Sequence, residues 1–195
     1  MKEISMDFFR DEVRNGFFIP TAVKQAWAAQ LQVLDVIETI CRKHDITYFA
    51  DWGTILGTVR HGGYVPWDDD MDICMKREDY TRFKEAAKTE LPKDFRIHDY
   101  EHQEDHWLFL SRVANSVHIN FEPEHMKQFH NFPYIAGIDI FVLDYLYKDE
   151  QQEKQRCEEV KHIIAVADSI IAGEIAQPVK EANLIQLEEK YHKTF

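Results

Sequence analysis

Four aspartates within five residues, Asp68, Asp69, Asp70 and Asp72, constrain this chain more than any other feature. They close the stretch Gly53 to Ile73, G-T-I-L-G-T-V-R-H-G-G-Y-V-P-W-D-D-D-M-D-I. Neighbouring like charges repel by about 1 kcal/mol per pair in water, and by more when partly desolvated. A fold that gathers them needs a cation to offset that cost. If Asp70-Met71-Asp72-Ile73 is a strand, side chains alternate between faces. Asp68, Asp70 and Asp72 then share one face, Met71 and Ile73 enter the core, and Asp69 turns away as a cap or turn residue. Carboxylates on one face are the donor set for a hard divalent ion such as Mg2+. The competing reading is a solvated acidic turn; the apolar neighbours Trp67, Met71 and Ile73 argue against it.

Composition limits the partners. The 195 residues suit one domain, with 45% hydrophobic content for its core. A net charge of -12 opposes a nucleic-acid footprint and docking to anionic lipid. A phosphorylated ligand stays open, because a bound metal reverses the local sign. Cys41, Cys74 and Cys157 lie far apart, without metal-ligand spacing, and read as small core residues of a reducing compartment. The N-terminus is no signal peptide, and no run reaches the roughly 18 apolar residues of a membrane span. The expected location is the cytoplasm.

Taken in order, residues 1–20 read as an aromatic arm or short helix. Thr21 is a candidate N-cap for a helix over about 21–44, whose apolar residues Val23, Trp27, Leu31, Leu34, Ile37 and Cys41 recur at helical spacing. Ile46 to Ala50 is β-branched and aromatic, hence a strand. A short helix follows over 55–60, with Gly53 at its entrance, where free N–H groups suit a phosphate. His61-Gly62-Gly63 is a turn. Arg77 to Glu90 is a helix stopped before Pro92. Strands are expected at 95–98, 107–113 and 117–121. Gly137 to Asp144 is an apolar strand interrupted by one carboxylate, Asp139. A helix runs from about 149 to 172 and ends at Gly173, and a last amphipathic helix follows Pro178.

The central run resembles the signature of the LicD family, to which the fukutin-type transferases are related. M-K-R-E-D-Y after it and G-I-D-I-F-V-L-D later extend the likeness over roughly residues 25–145. The resemblance implies an α/β (α+β) nucleotidyltransferase-like fold: a small mixed sheet flanked by helices. It implies one domain over 1–195, with a helical C-terminal segment from about 149. Family members are commonly longer, so the chain is either a short member or lacks a C-terminal part.

The implied chemistry is transfer of an alcohol phosphate, typically phosphocholine from CDP-choline, to a sugar hydroxyl of a surface glycan such as lipopolysaccharide or teichoic acid. The resemblance places Asp70 and Asp72 as the metal-binding pair for Mg2+ or Mn2+. Asp139 falls at the third carboxylate, as ligand or proton acceptor. Gly53 and Thr54 match the phosphate loop, and Arg60 the arginine closing the short helix; Asp68 is a further substrate-side candidate. Taken alone, Gly53 and Gly57 read as packing, Arg60 as a surface cation, Asp144 as a strand-end cap and His61 as a turn residue. Lys76 and Arg77 read as solvated, and Trp52 and Trp67 as core. Two other functions stay open: a nucleotidyltransferase attacking the α-phosphorus of an NTP, and a non-catalytic nucleotide binder.

Overall fold

The computed structural model describes residues 4–99 and 110–173. It divides into two compact units, residues 1–144 and 145–195.

The first unit is built on a five-stranded mixed sheet. A 3-10 turn over Met6–Phe9 leads to a hairpin of β1 (Glu12–Arg14) and β2 (Phe17–Ile19). Asn15 and Gly16 form its turn, both with positive φ (52° and 80°). That conformation is cheap only for residues such as these. Then come α1 (Thr21–Lys43), β3 (Tyr48–Ala50), α2 (Trp52–His61), β4 (Asp72–Lys76) and α3 (Arg77–Glu90). After β5 (Arg96–His98) follow β6 (Ser111–Ala114), α4 (Pro123–Gln128) and β7 (Gly137–Leu143). The strand order is β3-β4-β7-β6-β5; β4 and β7 run parallel and the other pairs antiparallel.

One face of this sheet makes the core. Ile73, Met75, Val113, Ile138 and Ile140 are buried there with Ala29, Val33 and Ile37 of α1 and Tyr80 and Phe83 of α3. By alternation, the cross-strand set Asp72, Asp139 and Arg112 stands on the other face. Residues that never share the core face therefore meet on three adjacent strands.

Several expectations change in detail. Trp52 and Trp67, read as core residues, are both exposed, on the first turn of α2 and in the loop before the aspartates. Thr21 is not the cap of α1: the helix starts at Thr21 after Pro20, and Asp11 accepts from the Thr21 N–H at 2.6 Å. The aromatic arm contains a hairpin, and its Asn15-Gly16 pair was the signal. The strand expected at 117–121 does not form; Val117, Ile119 and Phe121 are exposed, and α4 follows behind its N1 proline, Pro123. The helix expected after Pro178 and residues 107–109 lie outside the described residues.

Gly57 of α2 is buried against the returning loop. A Cβ there would sit 2.3 Å from the Gly63 carbonyl oxygen and 2.8 Å from the Val65 nitrogen. Both are backbone atoms, so the loop cannot yield by turning a side chain. Gly57→Ala is expected to destabilise the protein by about 2–3 kcal/mol, read as a lower urea midpoint at unchanged m-value. A midpoint within error of wild type would show that the α2–loop contact is slack.

In the second unit, α5 spans Glu150–Ile171. Asp149 accepts from the Gln152 N–H at 2.9 Å, and Gly173 (φ 73°) follows the helix, matching the sequence expectation. Among the described residues no helix is long and apolar enough to cross a membrane.

Candidate functional site

The acidic run splits into two parts. The strand begins only at Asp72, while Asp68, Asp69 and Asp70 precede it in a loop. The expected alternation over the whole run is therefore corrected. It survives for Met71 and Ile73, which are 5% and 1% exposed. It fails for Asp69, whose ligand atom lies within 4.8 Å of those of Asp68 and Asp70. The reason is hydrogen bonding. No strand pairs with 68–70; instead the Trp27 indole N–H donates to the Asp68 carbonyl at 2.9 Å, and the Gln30 amide to the Asp69 carbonyl at 2.7 Å. Two buried side chains of α1 thus satisfy the loop in place of a ladder.

The rest of the loop's support comes from Tyr64. Its ring stacks on Trp27 at 4.7 Å between centroids, and its hydroxyl donates to the Gln30 side-chain oxygen at 2.9 Å. Sequence periodicity places Trp27 in the core, but its second task, and those of Gln30 and Tyr64, leave no mark in spacing.

Gly53 opens α2 beneath this loop. A Cβ on Gly53 would fall 2.2 Å from an Asp68 carboxylate oxygen. The missing side chain is the space that Asp68 occupies. The Asp51 carboxylate accepts from the Trp52 N–H at 2.9 Å, capping the helix. The Thr54 hydroxyl accepts from the Asp72 N–H at 2.8 Å and ties the helix to the start of β4. Gly53 and Thr54 are thereby brought to the acidic loop. Arg60 is not: it is exposed in the last turn of α2, nearly two turns further on. Asp144 pairs with Arg77 through two hydrogen bonds at the end of β7.

Asp72 and Asp139 are direct partners in the parallel β4–β7 pairing. Asp72 is 8% exposed. Burial, then the charges of Asp70, Asp139, Asp68 and Asp51, push its carboxyl up to about 6. Burial and the adjoining Asp70 likewise push Asp68 up to about 6. These groups crowd like charge that the surrounding protein does not fully offset. Among the described residues the ligand atoms that lie within 4.8 Å of one another are those of Asp68, Asp69 and Asp70, and Asp72 and Asp139 are not in that group. Hard carboxylate oxygens suit Mg2+ or Mn2+ and not a thiophilic metal. Burial pushes the Cys41 and Cys74 thiols up to about 12 and about 11, leaving them inert.

A cation pairs with Asp139 on this face. Arg112 of β6 donates to both Asp139 oxygens, from Nε at 2.5 Å and from an Nη at 2.8 Å. Nothing in the run around Arg112 distinguishes it from a surface arginine until β6 pairs with β7.

A cavity of about 550 Å3 adjoins the acidic loop. Trp27, Leu31, Tyr64, Met71 and Ile73 give it apolar walls, and Asp68 and Asp70 also line it. The size is that of a small-ligand site.

The family described as "LicD/FKTN/FKRP, nucleotidyltransferase domain" matches residues 45–165. The lipopolysaccharide cholinephosphotransferase LicD of Haemophilus influenzae is 43% identical over 53 residues, 27% of this chain and 20% of that protein. An uncharacterized protein of Rickettsia typhi is 39% identical over 54 residues, 28% of this chain and 18% of its own length. Another, of Rickettsia prowazekii, is 42% identical over 48 residues, 25% and 18% respectively. The matched segment thus spans about a fifth of each curated relative.

Proposed function

This chain belongs to the LicD family, and from that premise we propose that it transfers an alcohol phosphate, phosphocholine from CDP-choline, onto a sugar hydroxyl of a surface glycan such as lipopolysaccharide. The observation that carries the reading is the meeting of Asp72 and Asp139 on parallel strands beside the Asp68–Asp70 loop. Such a cluster suits a diphosphate neutralised by divalent metal. The donor's head group is assigned to the adjoining cavity. Its lining combines aromatic and apolar walls with Asp68 and Asp70 and with Arg14, Thr54, Thr58 and His61, so the choice of choline rests on the likeness to the Haemophilus influenzae LicD.

The transfer is an in-line displacement. The sugar oxygen attacks the choline-bearing phosphorus, the bond to the bridging oxygen breaks, and CMP leaves with that electron pair. Asp70, Asp72 and Asp139 would hold Mg2+ or Mn2+, whose positive charge would offset that of the diphosphate. Asp139 receives the proton of the attacking hydroxyl. Gly53 and Thr54 present helix N-terminal N–H groups to a phosphate oxygen. Catalysis is chiefly positioning and charge neutralisation. We place the reaction in the cytoplasm, in keeping with the unpaired thiols.

The test is product identity. Purified protein is incubated with Mg2+, a choline-free lipopolysaccharide or teichoic-acid acceptor, and in turn CDP-choline, CDP-glycerol, CDP-ribitol, CTP and ATP, with 31P NMR as readout. CMP and a phosphocholine diester are expected from CDP-choline. Pyrophosphate from CTP, with CDP-choline untouched, would instead assign an NTP-dependent nucleotidyltransferase. Binding without turnover of any of them would make the chain a nucleotide-binding member.

A further inference from the structure

Asp139 answers two demands on one face of the sheet. As a metal ligand or proton acceptor it needs an accessible lone pair of full negative charge. Both its oxygens accept hydrogen bonds from Arg112, which leaves a lone pair on each but places a cation against it. The pair is in direct cross-strand register, Arg112 opposite Asp139, so the contact follows from the β6–β7 pairing. The two partners differ in burial: the Asp139 side chain is 14% exposed, that of Arg112 49%. The carboxylate is fixed in the sheet, while the guanidinium stands in reach of solvent.

The stem of Arg112 lies in a groove made by a glycine. A Cβ on Gly137 would fall 2.9 Å from Arg112 Cδ and 3.1 Å from Cγ. The absent side chain leaves the arginine free to lie across β7 onto Asp139. The charges of Asp70 and Asp72 act on Arg112 in addition to its bond with Asp139. A planar fork that matches a carboxylate matches two phosphate oxygens equally well.

We propose that Arg112 is a two-position residue: its guanidinium pairs with Asp139 before the donor binds, and transfers to the phosphate oxygens of the CDP-alcohol when it does. The inference rests on the transferase reading above. The move replaces one bidentate anion by another, so Arg112 stays paired throughout. It takes the cation away from both oxygens of Asp139 at the moment the donor arrives. It also explains how this face stays stable with its carboxylates crowded: one of them carries its own counter-ion until needed. The donor thereby tunes Asp139, and metal alone meets a site with one carboxylate already charge-compensated.

The alternative is a fixed strut, in which Arg112 holds Asp139 in place in every state. The two roles predict opposite signs. Mn2+ is titrated by calorimetry, without nucleotide, into wild type, Arg112→Ala and Arg112→Lys. CDP-choline is then titrated into each with Mn2+ present. A swinging Arg112 predicts Mn2+ alone binding several-fold tighter to Arg112→Ala, CDP-choline binding at least tenfold weaker, and Arg112→Lys between the two for the donor. Weaker Mn2+ binding to Arg112→Ala, or unchanged donor affinity, would overturn it.

A mirror variant keeps the test independent of the metal. Asp139→Asn releases Arg112 from its charged partner and should strengthen metal-free binding of CDP-choline by several-fold over wild type, with no such gain in the double variant Asp139→Asn/Arg112→Ala. No gain in the single variant would count against the swing. Should Mn2+ bind no variant, with or without donor, the metal reading fails, and Arg112 is judged on the metal-free arm alone. Thermal melts of each variant confirm folding.

Discussion

Asp72→Asn is expected to lower turnover by on the order of a thousandfold while raising the melting temperature of the metal-free protein. The two effects have one cause. Asp72 is buried at the start of β4, and burial with the charges of Asp70, Asp139, Asp68 and Asp51 pushes its carboxyl up to about 6. In an unfolded chain the same group titrates near 3.9. The folded state therefore holds the proton more tightly, and ionisation costs stability. That cost is absent below about pH 4, grows between about pH 4 and 6, and is complete above about pH 6. A shift of roughly two units corresponds to about 3 kcal/mol, of which relaxation and solvent screening leave about 1–2. Asparagine cannot ionise, so it removes the cost. It also keeps what the backbone of residue 72 does, namely donation to Thr54 and acceptance from the Asp51 N–H. In EDTA at pH 7.5 the variant should melt about 3–6 °C above wild type, and at pH 4 the gain should vanish. With saturating Mg2+ and donor the order should reverse, because wild type alone gains from the bound ligands. Turnover within tenfold of wild type would remove Asp72 from the reaction, and a gain that persists at pH 4 would remove charge as its cause.

The sequence discloses residues more readily than it discloses their partners. The carboxylates are visible because four aspartates beside Met71 and Ile73 have few structural uses. Asp139 is visible because it interrupts an apolar strand. The adjacency of Asp72 and Asp139, however, is a property of the β4–β7 register, and pairing is decided by packing over the whole sheet. Arg112 escapes for the same reason: it becomes part of the site only when β6 lies beside β7. The loop form of Asp68–Asp70 is hidden differently. A strand is expected from Asp70 and begins only at Asp72, because the carbonyls of Asp68 and Asp69 find Trp27 and Gln30, some forty residues earlier, in place of a neighbouring strand. The N-terminal hairpin is marked in the sequence by Asn15-Gly16 alone, a turn pair set among the aromatics of 8–18, whose packing suggests an arm. Gly53 shows a glycine recognised for one reason and visibly used for another: it was expected to admit a phosphate, and in the fold it makes room for Asp68.

Trp27 joins the core to the site, and its replacement should separate the two roles. The residue is 1% exposed on α1, stacked on Tyr64, with the Arg14 guanidinium 5.9 Å from its ring centroid. Trp27→Ala opens a cavity and removes the donor to the Asp68 carbonyl, at an expected cost of about 3–5 kcal/mol. That loss alone would fit any buried tryptophan, so the informative variant is Trp27→Phe. It keeps an aromatic face for Tyr64 and much of the volume but has no N–H. The Asp68 carbonyl then loses its partner, at about 1–3 kcal/mol if water does not replace it. The consequence should be local. The Asp68 N–H, which bonds to the Val65 carbonyl at 3.0 Å, should exchange with solvent faster in Trp27→Phe, while amides of α3 and β7 keep protection in proportion to global stability. A tryptophan that only fills the core predicts a uniform fall in protection, with Asp68 no worse than the rest. Faster exchange confined to the acidic loop would identify the indole N–H as the anchor that presents the carboxylates, and uniform exchange would return Trp27 to packing alone.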